Sequence, residues 1–130
     1  MKKQLVSVLL IISAASLFLS CGRWSDNIKL SAKSAVFNSG GDSIYITTKG
    51  DWWWLTDVTV GTKRYIDFAG VDVFADSYVV IQDCFTFERR DKNTIFIKLD
   101  PNPDSVKRVV VFELEAGDYF DRITITQNSG

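Results

Sequence analysis

Along most of the chain, apolar and polar residues change places at every second position. Ile44, Ile46 and Thr48 alternate with Tyr45 and Thr47; Ile95, Ile97 and Leu99 alternate with Thr94, Phe96 and Lys98; Ile123 and Ile125 alternate with Arg122, Thr124 and Thr126. Neighbouring side chains of an extended chain leave on opposite faces, so this period predicts strands with one buried face. Further β-preferring runs are Ile28–Ala32, Leu55–Val60, Arg64–Phe68, Tyr78–Asp83, Phe85–Arg90 and Val106–Glu115. The last is charged enough to suggest a helix, but Val109-Val110-Val111-Phe112 is β-branched and aromatic, and Glu113-Leu114-Glu115 keeps the alternation. Turn-forming clusters separate the runs: Asn38–Asp42, Lys49-Gly50-Asp51, Gly61-Thr62, Ala69-Gly70, Asp91-Lys92-Asn93, Pro101-Asn102-Pro103 and Ala116-Gly117-Asp118. No stretch of ten residues holds a helical period. Short strands broken by turns every 8–12 residues predict an all-β sandwich or barrel, here of about 7–9 strands.

The beginning follows a different pattern. Met1-Lys2-Lys3 is a basic start, and Leu5 to Leu19 is apolar apart from Ser and Ala. That run is too short for a comfortable membrane span, which needs roughly 20 residues, and it has the form of a targeting leader. Leu17-Phe18-Leu19-Ser20-Cys21 resembles a bacterial lipoprotein signal, with Phe18 where the commonest pattern has Leu. The resemblance implies cleavage before Cys21, a diacylglyceryl group on its thiol and an acyl chain on the new amino terminus. Several chains at about 0.8 kcal/mol per buried CH₂ anchor a protein stably. Gly22 stands where Asp would signal inner-membrane retention, so the resemblance implies an outer-membrane lipoprotein of a Gram-negative bacterium, facing the surface or the periplasm. Ser25-Asp26 is a thin version of the acidic stretch that marks surface export in some lineages. The expected organisation is a leader over 1–20, a lipidated cysteine and short tether over 21–27, and one domain over 28–130. Gly22 to Asn27 reaches at most about 20 Å, which holds the domain close to the bilayer.

Composition removes several functions. The chain has no histidine, which excludes His-dependent nucleophiles, His-ligated metals and an imidazole switch. Without Lys2 and Lys3, thirteen basic residues face sixteen acidic ones, a net charge of −3. Nucleic-acid binding wants a basic stripe; Arg89-Arg90 and Lys107-Arg108 are short pairs, expected as solvated strand-end or loop charges. Of two cysteines, Cys21 closes the leader and Cys84 lies in an apolar run, where it is expected as a small buried hydrophobe. Asp100-Pro101-Asn102-Pro103-Asp104 opens like a calcium loop, but Ser105 and Val111 stand where the loop needs Gly and Glu, so a rigid turn is expected. Glu113 and Glu115 share a strand face, and Asp72, Asp76 and Asp83 are further acids, all expected as surface charge. No phosphate loop, CxxC or nucleophile motif is present. No catalytic residue, metal or cofactor is expected beyond the lipid on Cys21.

Trp52-Trp53-Trp54 is the most informative stretch. In an extended strand Trp53 points opposite to Trp52 and Trp54. A Trp buries up to about 250 Å² and seeks a partner for its N–H. One arrangement puts one ring in the core and lays two over loops at the sandwich end. Another exposes rings as a platform for the apolar faces of sugars, with Asp51, Asp57 or Lys49 binding hydroxyls and Tyr65 completing the ligand set. A third uses the rings to dock a partner protein.

The order of features resembles a family. Leu30-Ser31-Ala32, Val36-Phe37, Gly40-Gly41-Asp42, the strand Ser43–Ile46, Trp52, and the closing strand Arg122–Gln127 resemble the BACON-type module of Gram-negative gut bacteria, over most of residues 28–127. The resemblance implies an immunoglobulin-like antiparallel β-sandwich, extracytoplasmic and associated with carbohydrate-active proteins. Its glycan-binding role is inferred from such neighbours. The stretch from Tyr65 to Asp91 matches nothing in the family pattern. The expectation is therefore a non-catalytic module at the outer membrane, held by its lipid, that binds a polysaccharide; the alternative is a docking subunit for a surface protein, with no glycan ligand.

Overall fold

The computed structural model describes residues 25–130; the leader and Cys21, with the predicted lipidation, lie outside them. Among the described residues there is no helix. Nine strands form: β1 (Ser34–Phe37), β2 (Asp42–Thr47), β3 (Trp54–Val60), β4 (Lys63–Tyr65), β5 (Tyr78–Gln82), β6 (Phe85–Asp91), β7 (Thr94–Leu99), β8 (Arg108–Ala116) and β9 (Tyr119–Gln127). They make two sheets, ordered β1-β9-β8-β3-β4 and β2-β7-β6-β5. This is the immunoglobulin-like β-sandwich expected from the sequence. One pairing departs from the antiparallel expectation: β1 runs parallel to β9, with Ser34 opposite Thr124 and Phe37 opposite Gln127.

The alternation explains the layers. Ile95, Ile97 and Leu99 of β7, Val110, Phe112 and Leu114 of β8, and Ile123 and Ile125 of β9 have no exposed surface, and their sequence neighbours face out. Burying such side chains contributes about 1.5–3 kcal/mol each. Phe112 centres the core, edge-on to Phe85 at 5.6 Å and stacked on Phe87 at 5.5 Å. The β3–β4 and β8–β9 hairpins turn in two residues, with Gly61 and Gly117 each at φ 62° in the first central position. Only glycine adopts that conformation without strain, as a type II′ hairpin requires.

Three strand assignments change. Ile28–Ala32 is not a strand: Lys29 sits at φ 54°, which breaks extension, and only the bridge Leu30–Thr48 remains. The chain becomes a strand at Ser34, where β9 offers a partner. Arg64–Phe68 shortens to a three-residue edge strand, β4. Cys84, between the runs Tyr78–Asp83 and Phe85–Arg90, lies in the tight β5–β6 turn beside Asp83 (φ 49°) and is buried there.

The turns sort into two ends. At one end lie Ser25–Asn27, Lys49–Trp52, the Asp91–Asn93 turn, the β8–β9 turn and the loop carrying Phe74. At the other lie the β1–β2, β3–β4 and β5–β6 turns, the Asp100–Lys107 loop and the C-terminal residues.

Candidate functional site

The site is built around Trp53, which is 1% exposed. Its indole N–H reaches Thr48 Oγ1 and the Lys92 carbonyl, both at 3.2 Å. The Arg89 guanidinium lies 3.8 Å from the Trp53 ring centroid. Its Nη1 donates to the Trp53 carbonyl at 2.6 Å, and its Nη2 to the carbonyls of Asp51 at 2.6 Å and Lys92 at 2.9 Å. One cation thus stacks on the ring and gathers three carbonyls of the segments around it. Burial pulls the Arg89 pKa below its ordinary value; Tyr78, Asp76, Asp51 and Asp91 oppose that pull. The sequence expectation of a solvated Arg89 is corrected: β6 aims it inward after Phe85 and Phe87, and only Nε lacks a partner.

Pinning Trp53 inward sends its neighbours outward. Trp52 is 64% exposed and Trp54 half-buried. They meet edge to face at 5.5 Å and 73°, and Trp54 meets Phe74 at 5.3 Å. Phe74 is 70% exposed, so the three rings form a stepped apolar ledge on the protein surface. Trp52 also lies over the β8–β9 turn: a Cβ added to Gly117 would stand 3.2 Å from its ring. Beside it opens a shallow cleft of about 380 Å³ lined by Ser25, Asn27, Trp52, Ala116, Gly117, Asp118 and Tyr119. A second cleft, of about 330 Å³, shares Ser25 and Asn27 and adds Asp26, Lys29, Lys49 and Gly50. Tyr119 donates to Asp121 at 3.1 Å, and its pKa rises to about 12, by desolvation first and the Asp121 carboxylate second.

The structure disperses the remaining sequence candidates. The Asp51 side chain is exposed next to Trp52. Asp57 shares the outer face with Trp54 because a bulge between Leu55 and Asp57 shifts the register. It is buried and already bound to Arg64, with Oδ2 taking Nη2 at 2.7 Å and Nε at 3.2 Å. Tyr65 turns toward the second sheet, edge-on to Phe85 at 6.0 Å, and donates to Asp83 at 2.6 Å. Trp53, Asp57 and Tyr65 therefore stand apart from the ledge, committed to packing and internal bonds; Trp52, Trp54 and Asp51 remain together. Phe74 and Asp118 join them, and nothing in their local pattern announces it, since both sit in loops. Among the described residues no cluster of three or more Cys, Asp or Glu is placed to hold a metal ion.

The fold is similar to that of a protein from Bacteroides thetaiotaomicron determined by NMR, at TM-score 0.66 and 16% identity, over 84% of this chain and 92% of that one. At that identity the likeness shows the fold alone. The chaperone–tip adhesion subunit pre-assembly complex of the archaic chaperone-usher Csu pili of Acinetobacter baumannii aligns at TM-score 0.39 and 8% identity, over 78% of this chain and 56% of that chain, and carries no argument. No family model matches the chain, and no curated protein does.

Proposed function

We propose that this protein is a non-catalytic, lipid-anchored module of the outer membrane, similar to BACON-type domains, and that it binds glycan by stacking sugar rings on the Trp52–Trp54–Phe74 ledge. The lipobox-like Leu17–Cys21 supports the anchor. The observation that carries the binding reading is the split of the tryptophan run: Trp53 is fixed in the core by Arg89, while Trp52 is left 64% exposed beside Asp51 and Asp118. An exposed indole with carboxylates at its rim suits a ligand with one apolar and one hydroxylated face. Asp57 and Tyr65, already bonded internally, take no part. One observation favours a second reading. The rings meet at 73°, a step more than a flat platform, which also suits the side chains of a partner protein.

A glycan-array screen on residues 22–130, followed by titration of each hit into Trp52→Ala, tests the proposal. Binding that vanishes in the variant is expected. No hit across plant and host glycans would move the ledge to the docking reading.

A further inference from the structure

The first described residues and the ledge share one end of the sandwich. The chain is committed to the fold from Asp26 onward: its carboxylate takes the N–H groups of Ile28 at 3.0 Å and Lys29 at 2.8 Å, and Ile28 is fully buried. Asn27 presses on Gly50 so closely that an added Cβ would stand 1.8 Å from its carbonyl oxygen. Ser25 and Asn27 then line the same cleft as Trp52.

Four residues lead from Cys21 to Ser25, a reach of at most about 14 Å. The headgroup layer takes up about 5–8 Å of that on one side of a bilayer. The end bearing Trp52 is thus held within about 10 Å of the headgroups. Lys29 and Lys49 are exposed in the second cleft at this end, beside Asp26, as cations of the kind that pair with anionic headgroups. A free polysaccharide would have to enter a gap about one sugar unit deep. A sugar carried on a lipid arrives there already placed, at high effective concentration.

We infer that the ligand of the ledge is membrane-borne: the oligosaccharide headgroup of a lipid in the leaflet that holds Cys21. This rests on the lipid-anchored, sugar-stacking reading above. The sugar stacks on Trp52 and Trp54, Asp118 and Asp51 accept from its hydroxyls, and Lys29 and Lys49 face the lipid phosphates.

The test uses the full acylated chain in vesicles of phosphatidylcholine alone, of phosphatidylcholine with a lipooligosaccharide, and of phosphatidylcholine with the same oligosaccharide released and free at equal concentration. Amide hydrogen exchange is read over residues 50–54 and 116–119. Exchange is expected to slow about tenfold in the lipooligosaccharide vesicles only. Trp52→Ala should abolish the slowing while β7 and β9 keep their protection, which shows the variant folded. Equal slowing by the free oligosaccharide would keep the sugar reading and overturn the membrane source. Equal slowing in phosphatidylcholine alone would show the ledge seated on the bilayer itself and overturn the inference. No slowing in any arm would overturn the sugar reading and the inference with it.

Discussion

The two ends of the sandwich treat their distinctive side chains in opposite ways. At the end away from Ser25, the amides of Gln127 and Asn102 are buried and hydrogen-bonded. Gln127 is fully buried; its Oε1 takes Arg108 Nε at 3.0 Å and Nη2 at 2.6 Å, and its Nε2 donates to the carbonyls of Asn38 at 3.0 Å and Asp100 at 2.9 Å. Asn102 holds the Asp100–Asp104 turn by donating to the carbonyls of Val106 at 2.9 Å and Asn128 at 3.1 Å. At the end near Ser25 the aromatic rings of Trp52 and Phe74 are left in solvent, above a single buried tryptophan. A buried amide without partners is costly, so the far end is closed by its own hydrogen bonds. An exposed ring stabilises the fold little and has most of its surface left to offer a ligand. Both ends are closed by buried hydrogen bonds, around Gln127 at one and Arg89 at the other, but the end near Ser25 also leaves the Trp52 and Phe74 rings in solvent.

Substitutions can break that contrast, and the largest effect belongs to the residue beneath the ledge. Arg89→Met takes the guanidinium donor from the carbonyls of Trp53 and Asp51 and leaves Lys92 with the Trp53 N–H alone; each carbonyl left unpaired costs roughly 1–3 kcal/mol, less the relief of no longer burying a charge. A net loss of about 3–5 kcal/mol in urea denaturation is expected, together with loosening of the Trp52 backbone. Unchanged stability would mean that Trp53 needs no clamp. Gln127→Leu should cost about 2 kcal/mol, because Arg108 Nε loses its acceptor while the carbonyls of Asn38 and Asp100 each fall back to a single donor, Gly41 and Arg108. If its denaturation midpoint stays within error of the unmodified protein, the far-end network is ornamental.

A third effect is read in alkali. Tyr78 packs on Phe87 below the ledge and takes the Leu55 N–H at 3.3 Å; burial pushes its pKa up to about 12. The unfolded chain ionises near pH 10 and the folded one near 12, so the stabilising contribution is complete below pH 10. It is lost as pH rises toward 12, by about 2 kcal/mol across that window. Tyr78→Phe should make this slope shallower, leaving the smaller part that the more exposed Tyr119 supplies, while costing about 1 kcal/mol at neutral pH from the unpaired Leu55 N–H. An equally steep alkaline slope in the variant would assign the titration to other groups. Cys21→Ala should leave the fold unchanged and remove metabolic palmitate label; equal labelling of both forms would remove the anchor.

Much of this was legible in the sequence, and the parts that were not have a common physical cause. The alternations around β7 and β9 are local, and the structure follows them closely. The outward-inward-outward path of Trp52 to Trp54 follows from the same period. Arg89 stood on the inward parity after Phe85 and Phe87, but a charge there is acceptable only with the carbonyls of Asp51, Trp53 and Lys92 around it, and those come from distant segments. β1 was missed because its only partner is β9, some ninety residues on, in parallel register. Asp57 shares a face with Trp54 only through a bulge, which no alternation announces. Phe74 belongs to the ledge through a loop without period. Local pattern reports which face a strand residue takes; it does not report what lies opposite.

The most direct test compares Trp52→Ala with the unmodified chain in two assays, urea denaturation and binding to lipooligosaccharide vesicles. Stability within about 0.5 kcal/mol and affinity lowered about tenfold or more are predicted, since the ring is exposed and its removal opens no core cavity. A variant destabilised by several kcal/mol that binds as tightly as before would make Trp52 a structural residue and contradict the account.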